Sequence, residues 1–169
     1  WDEYLNGDVP PSAIGMSWRT RSTNGAGHRL LSVAEAVAKG HDMIMTPHDQ
    51  TYFYYGQGLD DDPFEYGGKL FVTLRKVYDF NPSAGVPEKD RIHVLGGQCC
   101  NWSEYTWNEC DLDWKLWPRG CAMAEALWAG GRKPGYKDFL GRMTVHRRRL
   151  VRQGVNCAPL DVADEIQGE

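Results

Sequence analysis

No run of apolar residues in this chain approaches the ~20 needed to cross a bilayer, so a membrane-spanning segment is not expected. Positive charge is not in excess either: 19 Lys and Arg against 23 Asp and Glu leave a formal charge of −4 over 169 residues. A nucleic-acid partner normally requires a basic face, and that class of function is set aside. The one basic cluster, Arg147-Arg148-Arg149 with Arg152, falls within a helical pattern and reads as a solvated helix face. Cysteine is scarce and odd in number, with five residues at 99, 100, 110, 121 and 157. They form no Cys-x-x-Cys pair and no Cys/His zinc spacing, which argues against a complete disulfide framework and for mostly buried thiols.

Other signatures are missing as well. There is no nucleophile elbow, no Ser-His-Asp pattern and no phosphate-binding glycine loop; Gly25-Ala26-Gly27 is too short and follows the wrong element. Histidines 28, 41, 48, 93 and 146 lack ligand spacing and are expected to be structural. Asp60-Asp61-Asp62 could suggest a cation site, but three consecutive acids cannot all face one ion without a turn, so a solvated loop is expected. No metal and no cofactor are implied. No repeat, low-complexity tract or Pro/Ser-rich linker divides the chain. It opens on Trp1-Asp2-Glu3 without an initiator Met or a signal-peptide pattern, so its true beginning is expected to lie upstream.

What is present is an alternation of short apolar runs and helical stripes. Ala13 to Trp18 reads as a strand entering a Gly-rich loop from Arg19 to His28. Leu30 to Lys39 carries Leu31, Ala34, Val37 and Ala38 at helical spacing, and Gly40 supplies a stop. His41 to Pro47 is a second strand, followed by an aromatic and acidic loop from His48 to Lys69. Leu70 to Phe80 is a helix stopped by Asn81-Pro82, and Ile92 to Leu95 a third, buried strand. Leu112 to Trp117, Pro118 to Trp128 and Tyr136 to Gln153 complete the helices, the last stopped by Gly154. The order strand, helix, strand, helix, strand, helix predicts an α/β fold with parallel strands, whose sites form at the strands' carboxyl ends. The polar tail, Asp161 to Glu169, is expected to fray.

The strand ends carry the candidate chemistry. Leu95-Gly96-Gly97-Gln98-Cys99-Cys100-Asn101-Trp102-Ser103-Glu104 runs from a strand into a loop presenting indole, amide and carboxylate together, the equipment of a polyol-binding site. An indole face packs on the apolar side of a sugar ring while a carboxylate takes its hydroxyls. Trp1, Trp18 and Trp102 stand at equivalent places, at the chain start or just past a strand, and read as site residues. Trp107, Trp114, Trp117 and Trp128 lie on or beside helices and are expected in the core. Tyr52-Phe53-Tyr54-Tyr55 offers phenols after the second strand.

These residues, together with Met16-Ser17-Trp18-Arg19, Gly40-His41-Asp42, Met45-Thr46-Pro47, Val77-Tyr78-Asp79-Phe80-Asn81-Pro82, Leu95-Gly96-Gly97-Gln98, Trp102-Ser103-Glu104-Tyr105, Pro118-Arg119 and Ala124-Glu125-Ala126-Leu127-Trp128, resemble the family 20 glycoside hydrolases, the β-N-acetylhexosaminidases, over nearly the whole chain. The resemblance implies the C-terminal half of a (β/α)8 TIM barrel, about strands 5 to 8 with their helices. Residues 1–160 would be the partial catalytic barrel and 161–169 its polar tail. It implies hydrolysis of terminal non-reducing N-acetylhexosamine residues by substrate-assisted, retaining catalysis. The substrate would be an N-acetylhexosaminide oligosaccharide or glycoconjugate, and the location periplasmic, secreted or organellar.

By the same resemblance, Trp1, Trp18 and Trp102 wall the substrate's acetamido methyl, Tyr52 hydrogen-bonds the acetamido group and Glu104 holds sugar hydroxyls. Tyr54 stands where the family often has an Asp in Tyr-x-Asp; a phenol is uncharged at neutral pH, so grip on the sugar's O6 edge or substrate choice is expected to differ. Cys99-Cys100 replaces the small and polar residues usual before the Trp. The catalytic Asp-Glu pair of the family ends strand four and matches nothing here, so the missing N-terminal half of the barrel is an expected partner. The alternative is a catalytically silent barrel that recognises N-acetylhexosamines.

Overall fold

The computed structural model describes residues 1–20, 31–58 and 71–160. Most of the loop from Arg19 to His28, the start of the helix expected from Leu30, the acidic run Asp60-Asp61-Asp62, Leu70 and the tail from Asp161 lie outside the described residues. The chain divides into two compact units, Trp1–His48 with Asn81–Gln98, and Asp49–Phe80 with Cys99–Glu169.

The first unit is built on a parallel sheet of three strands, β1 (Gly15–Ser17), β2 (Met43–Met45) and β3 (Val94–Gly97), in that spatial order. Parallel neighbours need a crossover, and α1 (Val33–Ala38) lies between β1 and β2. Ser32 caps the helix: its hydroxyl accepts from the Glu35 amide at 3.2 Å, and the Glu35 carboxylate accepts from the Ser32 amide at 2.8 Å. That reciprocal box starts the helix three residues later than Leu30, so the buried residues are Ala36 and Val37, with Val33 partly buried beside them, and Ala38 is exposed. At the other end the amides of Gly40 and His41 return to the carbonyls of Val37 and Ala36, with Gly40 at φ +92°, as the expected stop requires. Leu5, Ala36, Val37, Met43 and Val86 form the core, with Leu31, Val33, Met45 and Val94 packed against it.

The third strand departs from expectation. Ile92 belongs to a 3-10 helix, Glu88–His93, and is 81% exposed, so the strand begins two residues later. Met43 pairs with Val94 but Ile44 pairs with Gly96, so Leu95 is an extra residue squeezed out of register and exposed. Gly96 absorbs this bulge at φ +137°, a conformation that side chains resist.

The short helix α2 (His48–Thr51), which begins on the last residue of the first segment of unit one and continues into the second unit, opens what reads from sequence as a loop. The chain then runs alongside the β3 extension: Tyr52 bridges Cys100 in parallel, with the Phe53 amide donating to the Cys100 carbonyl at 2.7 Å. Helices α3 (Leu74–Tyr78), α4 (Glu109–Leu116), α5 (Arg119–Ala129) and α6 (Tyr136–Arg152) follow. Thr73 and Asn108 cap α3 and α4 through their side chains. The buried face of α5 is Arg119, Ala122, Met123 and Ala126, and that of α6 is Phe139, Met143 and Leu150.

Two tryptophans expected in the core are outside it: Trp128 is 93% and Trp107 81% exposed. Trp128 lies nine residues past Arg119, half a turn away from the buried face of α5, and Trp107 precedes the cap of α4. Arg148, Arg149 and Arg152 are exposed on α6 as expected, while Arg147 donates to the Ala158 and Cys157 carbonyls and ties the segment beyond the helix back to it. Cys100 and Cys157 are buried, Cys99 and Cys121 half-buried and Cys110 exposed, all as free thiols. No helix among the described residues is long and apolar enough to cross a membrane.

Candidate functional site

In the first unit the site residues are organised by the two acids after Trp1. Asp2–Tyr4 is a 3-10 turn, and it buries the Asp2 carboxylate while Trp1 remains 44% exposed. Asp2 Oδ2 accepts from the backbone amides of Trp18 and Arg19, at 3.2 and 3.3 Å. Glu3 accepts from the Trp18 indole N–H at 3.2 Å and from the Arg19 guanidinium at 2.7 Å. The same guanidinium lies 4.8 Å from the Trp18 ring centroid, and the His48 ring meets that indole edge-on at 6.2 Å. Position and tilt of Trp18, immediately after β1, are therefore fixed by residues sixteen and fifteen positions earlier.

Burial pushes the Asp2 carboxyl above its ordinary pKa, helped by its hydrogen bond to Glu3. Burial acts on Glu3 in the same sense but loses to its own backbone amide, Asp2, the Trp18 indole and Arg19, which together hold it below the usual range. Charge thus concentrates on the carboxylate that faces Trp18 and Arg19. Sequence reading names Trp1 and Trp18 but misses Asp2 and Glu3, because nothing in local spacing joins them to residue 18.

In the second unit the aromatic residues form a continuous run. Tyr52 meets Trp102 edge-on at 6.1 Å and touches Tyr54 at 5.9 Å. Tyr54 packs on Tyr55 at 4.5 Å and lies nearly parallel to Tyr105 at 6.0 Å. Tyr52 and Tyr54 are buried by these neighbours, whereas Trp102 is 39% exposed and Glu104 is exposed on the 3-10 turn Ser103–Tyr105. The turn is knitted into its surroundings: Asn101 donates to the Thr106 hydroxyl at 2.9 Å, the Trp107 amide to Asp111 at 3.1 Å, and Lys115 to the Tyr105 carbonyl. Beneath the tyrosines lies Arg119, a fully buried residue that sequence reading did not single out as functional.

The structure thus brings Tyr52, Tyr54 and Trp102 together, with Glu104 two residues further along, and in the other unit couples the Trp1 segment to Trp18. An exposed indole, a nearby phenol and a free-standing carboxylate suit a ligand with both apolar faces and hydroxyls. Of the histidines, His41 is buried with Nδ1 at 3.2 Å from the Ala13 carbonyl, and His93 pairs with Asp42 at 2.8 Å. No group of three or more His, Cys, Asp or Glu among the described residues is placed to hold a metal ion.

Parallel strands leading into segments rich in indole, phenol and carboxylate make this an α/β protein with its candidate site residues at the strand ends. A family model described as glycosyl hydrolase family 20, catalytic domain, matches residues 1–131, and the chain belongs to that family. It is 33% identical to a beta-hexosaminidase of Porphyromonas gingivalis and 34% identical to a chitooligosaccharidolytic beta-N-acetylglucosaminidase of Ostrinia furnacalis. Those alignments cover 92% and 94% of this chain but 19% and 25% of the relatives, so the chain spans a quarter of their length or less. A GH20 exo beta-N-acetylglucosaminidase from Vibrio harveyi, solved in complex with N-acetylglucosamine, matches with a TM-score of 0.77 at 27% identity, over 95% of this chain and 24% of that one. The α/β architecture agrees with that of these neighbours.

Proposed function

We propose that this chain is the C-terminal part of a family 20 catalytic barrel, with β1, β2 and β3 as its sixth, seventh and eighth strands, residues 1–160 forming the barrel segment and 161–169 a tail. The whole protein hydrolyses terminal non-reducing N-acetylhexosamine residues from oligosaccharides or glycoconjugates. The observation that carries this reading is the family match across residues 1–131, which includes every candidate site residue.

In this reading the segment recognises the sugar. Trp1, Trp18 and Trp102 supply apolar walls for the acetamido methyl. Tyr52 hydrogen-bonds the acetamido group, Tyr54 supplies a phenol on the O6 side, and Glu104 accepts from hydroxyls, as a charged acceptor does more strongly than a neutral one. The reaction is substrate-assisted: the acetamido oxygen attacks the anomeric carbon while an acid protonates the leaving oxygen. The acid and the carboxylate that orients the amide come from the part of the barrel preceding this chain.

The test is Trp102→Ala in the full-length protein. Inhibition by N-acetylglucosamine should weaken by far more than inhibition by glucose, because only the former presents the methyl that the indole packs against. Equal losses on both would remove the acetamido assignment. A wild-type protein that binds N-acetylglucosamine but cleaves nothing would instead make this a binding barrel.

A further inference from the structure

Arg119 opens α5 and is fully buried, yet its fork of donors is spent on main-chain carbonyls. Nη1 donates to Tyr55 O and Val72 O, both at 2.9 Å; Nη2 donates to Phe53 O and Lys115 O, and Nε to Lys115 O at 3.0 Å. The guanidinium also lies 4.7 Å from the Phe53 ring centroid. Two of the four carbonyls flank Tyr54, and the Phe53 amide is already held by the Cys100 carbonyl. Phe53, the residue after Tyr52, is therefore held at both its amide and its carbonyl, the Cys100 amide holds the Thr51 carbonyl on the other side, and the Tyr52 ring lies against Trp102 at 6.1 Å.

A planar guanidinium with five donors can bind several carbonyls from different segments at once, which an ammonium on a flexible stem cannot do with the same geometry. Resting on the reading of Tyr52 and Trp102 given above, we infer that Arg119 is a positioning residue for acetamido recognition: it sets the main chain that carries Tyr52, and so the discrimination between N-acetylated and plain sugars. A staple that only holds the fold together would set the amount of folded enzyme and leave that discrimination alone.

The experiment uses the full-length protein and the ratio of the inhibition constant of glucose to that of N-acetylglucosamine, a quantity that does not depend on the active fraction. Arg119→Lys, which keeps the charge and loses the fork, should lower this ratio about tenfold, the order of one lost hydrogen bond to the acetamido group. In a Tyr52→Phe background the same change should alter it less than about twofold, since Arg119 acts through Tyr52. An unchanged ratio in Arg119→Lys, with a selective loss in Trp102→Ala, overturns the positioning role and leaves the proposed function standing. No selective loss in Trp102→Ala removes both. If Arg119→Lys gives no folded enzyme, Phe53→Leu removes the ring beneath the guanidinium while keeping the carbonyls. A ratio about threefold lower is then expected, on the scale of one cation–π contact, and an unchanged ratio overturns the inference.

Discussion

The thiols differ by what surrounds them. Burial pushes Cys121 and Cys157 up to about 11, each with smaller contributions from nearby charged groups, and burial also raises Cys99. Cys110 is exposed. The thiolate is the species that alkylates, and a pKa of about 11 leaves roughly one thiolate per thousand thiols at pH 8. Iodoacetamide at pH 8 should therefore label Cys110 of the native protein first, with Cys121 and Cys157 at least tenfold slower by peptide mass spectrometry over time. Equal rates at the three sites would contradict this burial. The neighbours of each residue were only partly legible from sequence at this scale. Strand-end position picked out Trp102 and Tyr52, whereas the clamp of Asp2 and Glu3 on Trp18 spans fifteen or more residues and leaves no local pattern. The exposure of Trp128 follows from its angle on α5, which could be drawn only once the buried face of that helix was known.

Helices α3, α5 and α6 are joined by one polar network. The Tyr78 hydroxyl donates to Glu125 at 3.0 Å, and Arg142 forks onto the same carboxylate at 2.6 and 2.7 Å while its Nε reaches Asp138 at 2.7 Å. Hydrogen bonding from Arg142, opposed by burial and helped by Tyr78, holds Glu125 below the usual carboxylate range. A depressed folded-state pKa contributes stability above the unfolded value and loses it as pH falls through the folded one. Because Arg142 is half exposed, screening limits the pair to about 1 kcal/mol. Glu125→Gln in the full-length protein should lower stability by about that much at pH 7, and the difference from wild type should shrink as pH falls below about 4. A gap that persists in acid, measured by denaturant unfolding at both pH values, would assign the effect to packing. Tyr78 has the opposite sign: burial first, then Glu125, raise it to about 12, so its contribution is complete below pH 10 and fades between 10 and 12. Helix stops such as Gly40 and Gly154 were legible at this scale because they are local, whereas the caps Ser32, Thr73 and Asn108 put three helix starts elsewhere than expected; the β3 register was not legible either, since a bulge depends on the strand opposite.

Seen whole, the chain's strand and helix alternation was legible because a parallel strand needs a crossover, and periodicity switches visibly between the two kinds of element. The result is a sheet of three short parallel strands in which, among the described residues, β1 and β3 each have a neighbour on one side only. Parallel sheets are covered on both faces and barrels leave no open edge, so on the proposed barrel reading such a sheet invites pairing with other chains. The relatives, of which this chain spans a quarter or less, carry ample further sequence to complete it. Expressed alone, the 169-residue chain should aggregate or self-associate. Co-expressed with the preceding part of the barrel, it should be recovered in a soluble complex that hydrolyses an N-acetylglucosaminide. Sedimentation velocity and calorimetry decide the matter: a monomer of the isolated chain that melts in one cooperative transition would show that the open edges are stable without the rest of the barrel. Hydrolysis by that monomer would further place the proton donor within these residues, against the assignment of the catalytic acid to the preceding segment.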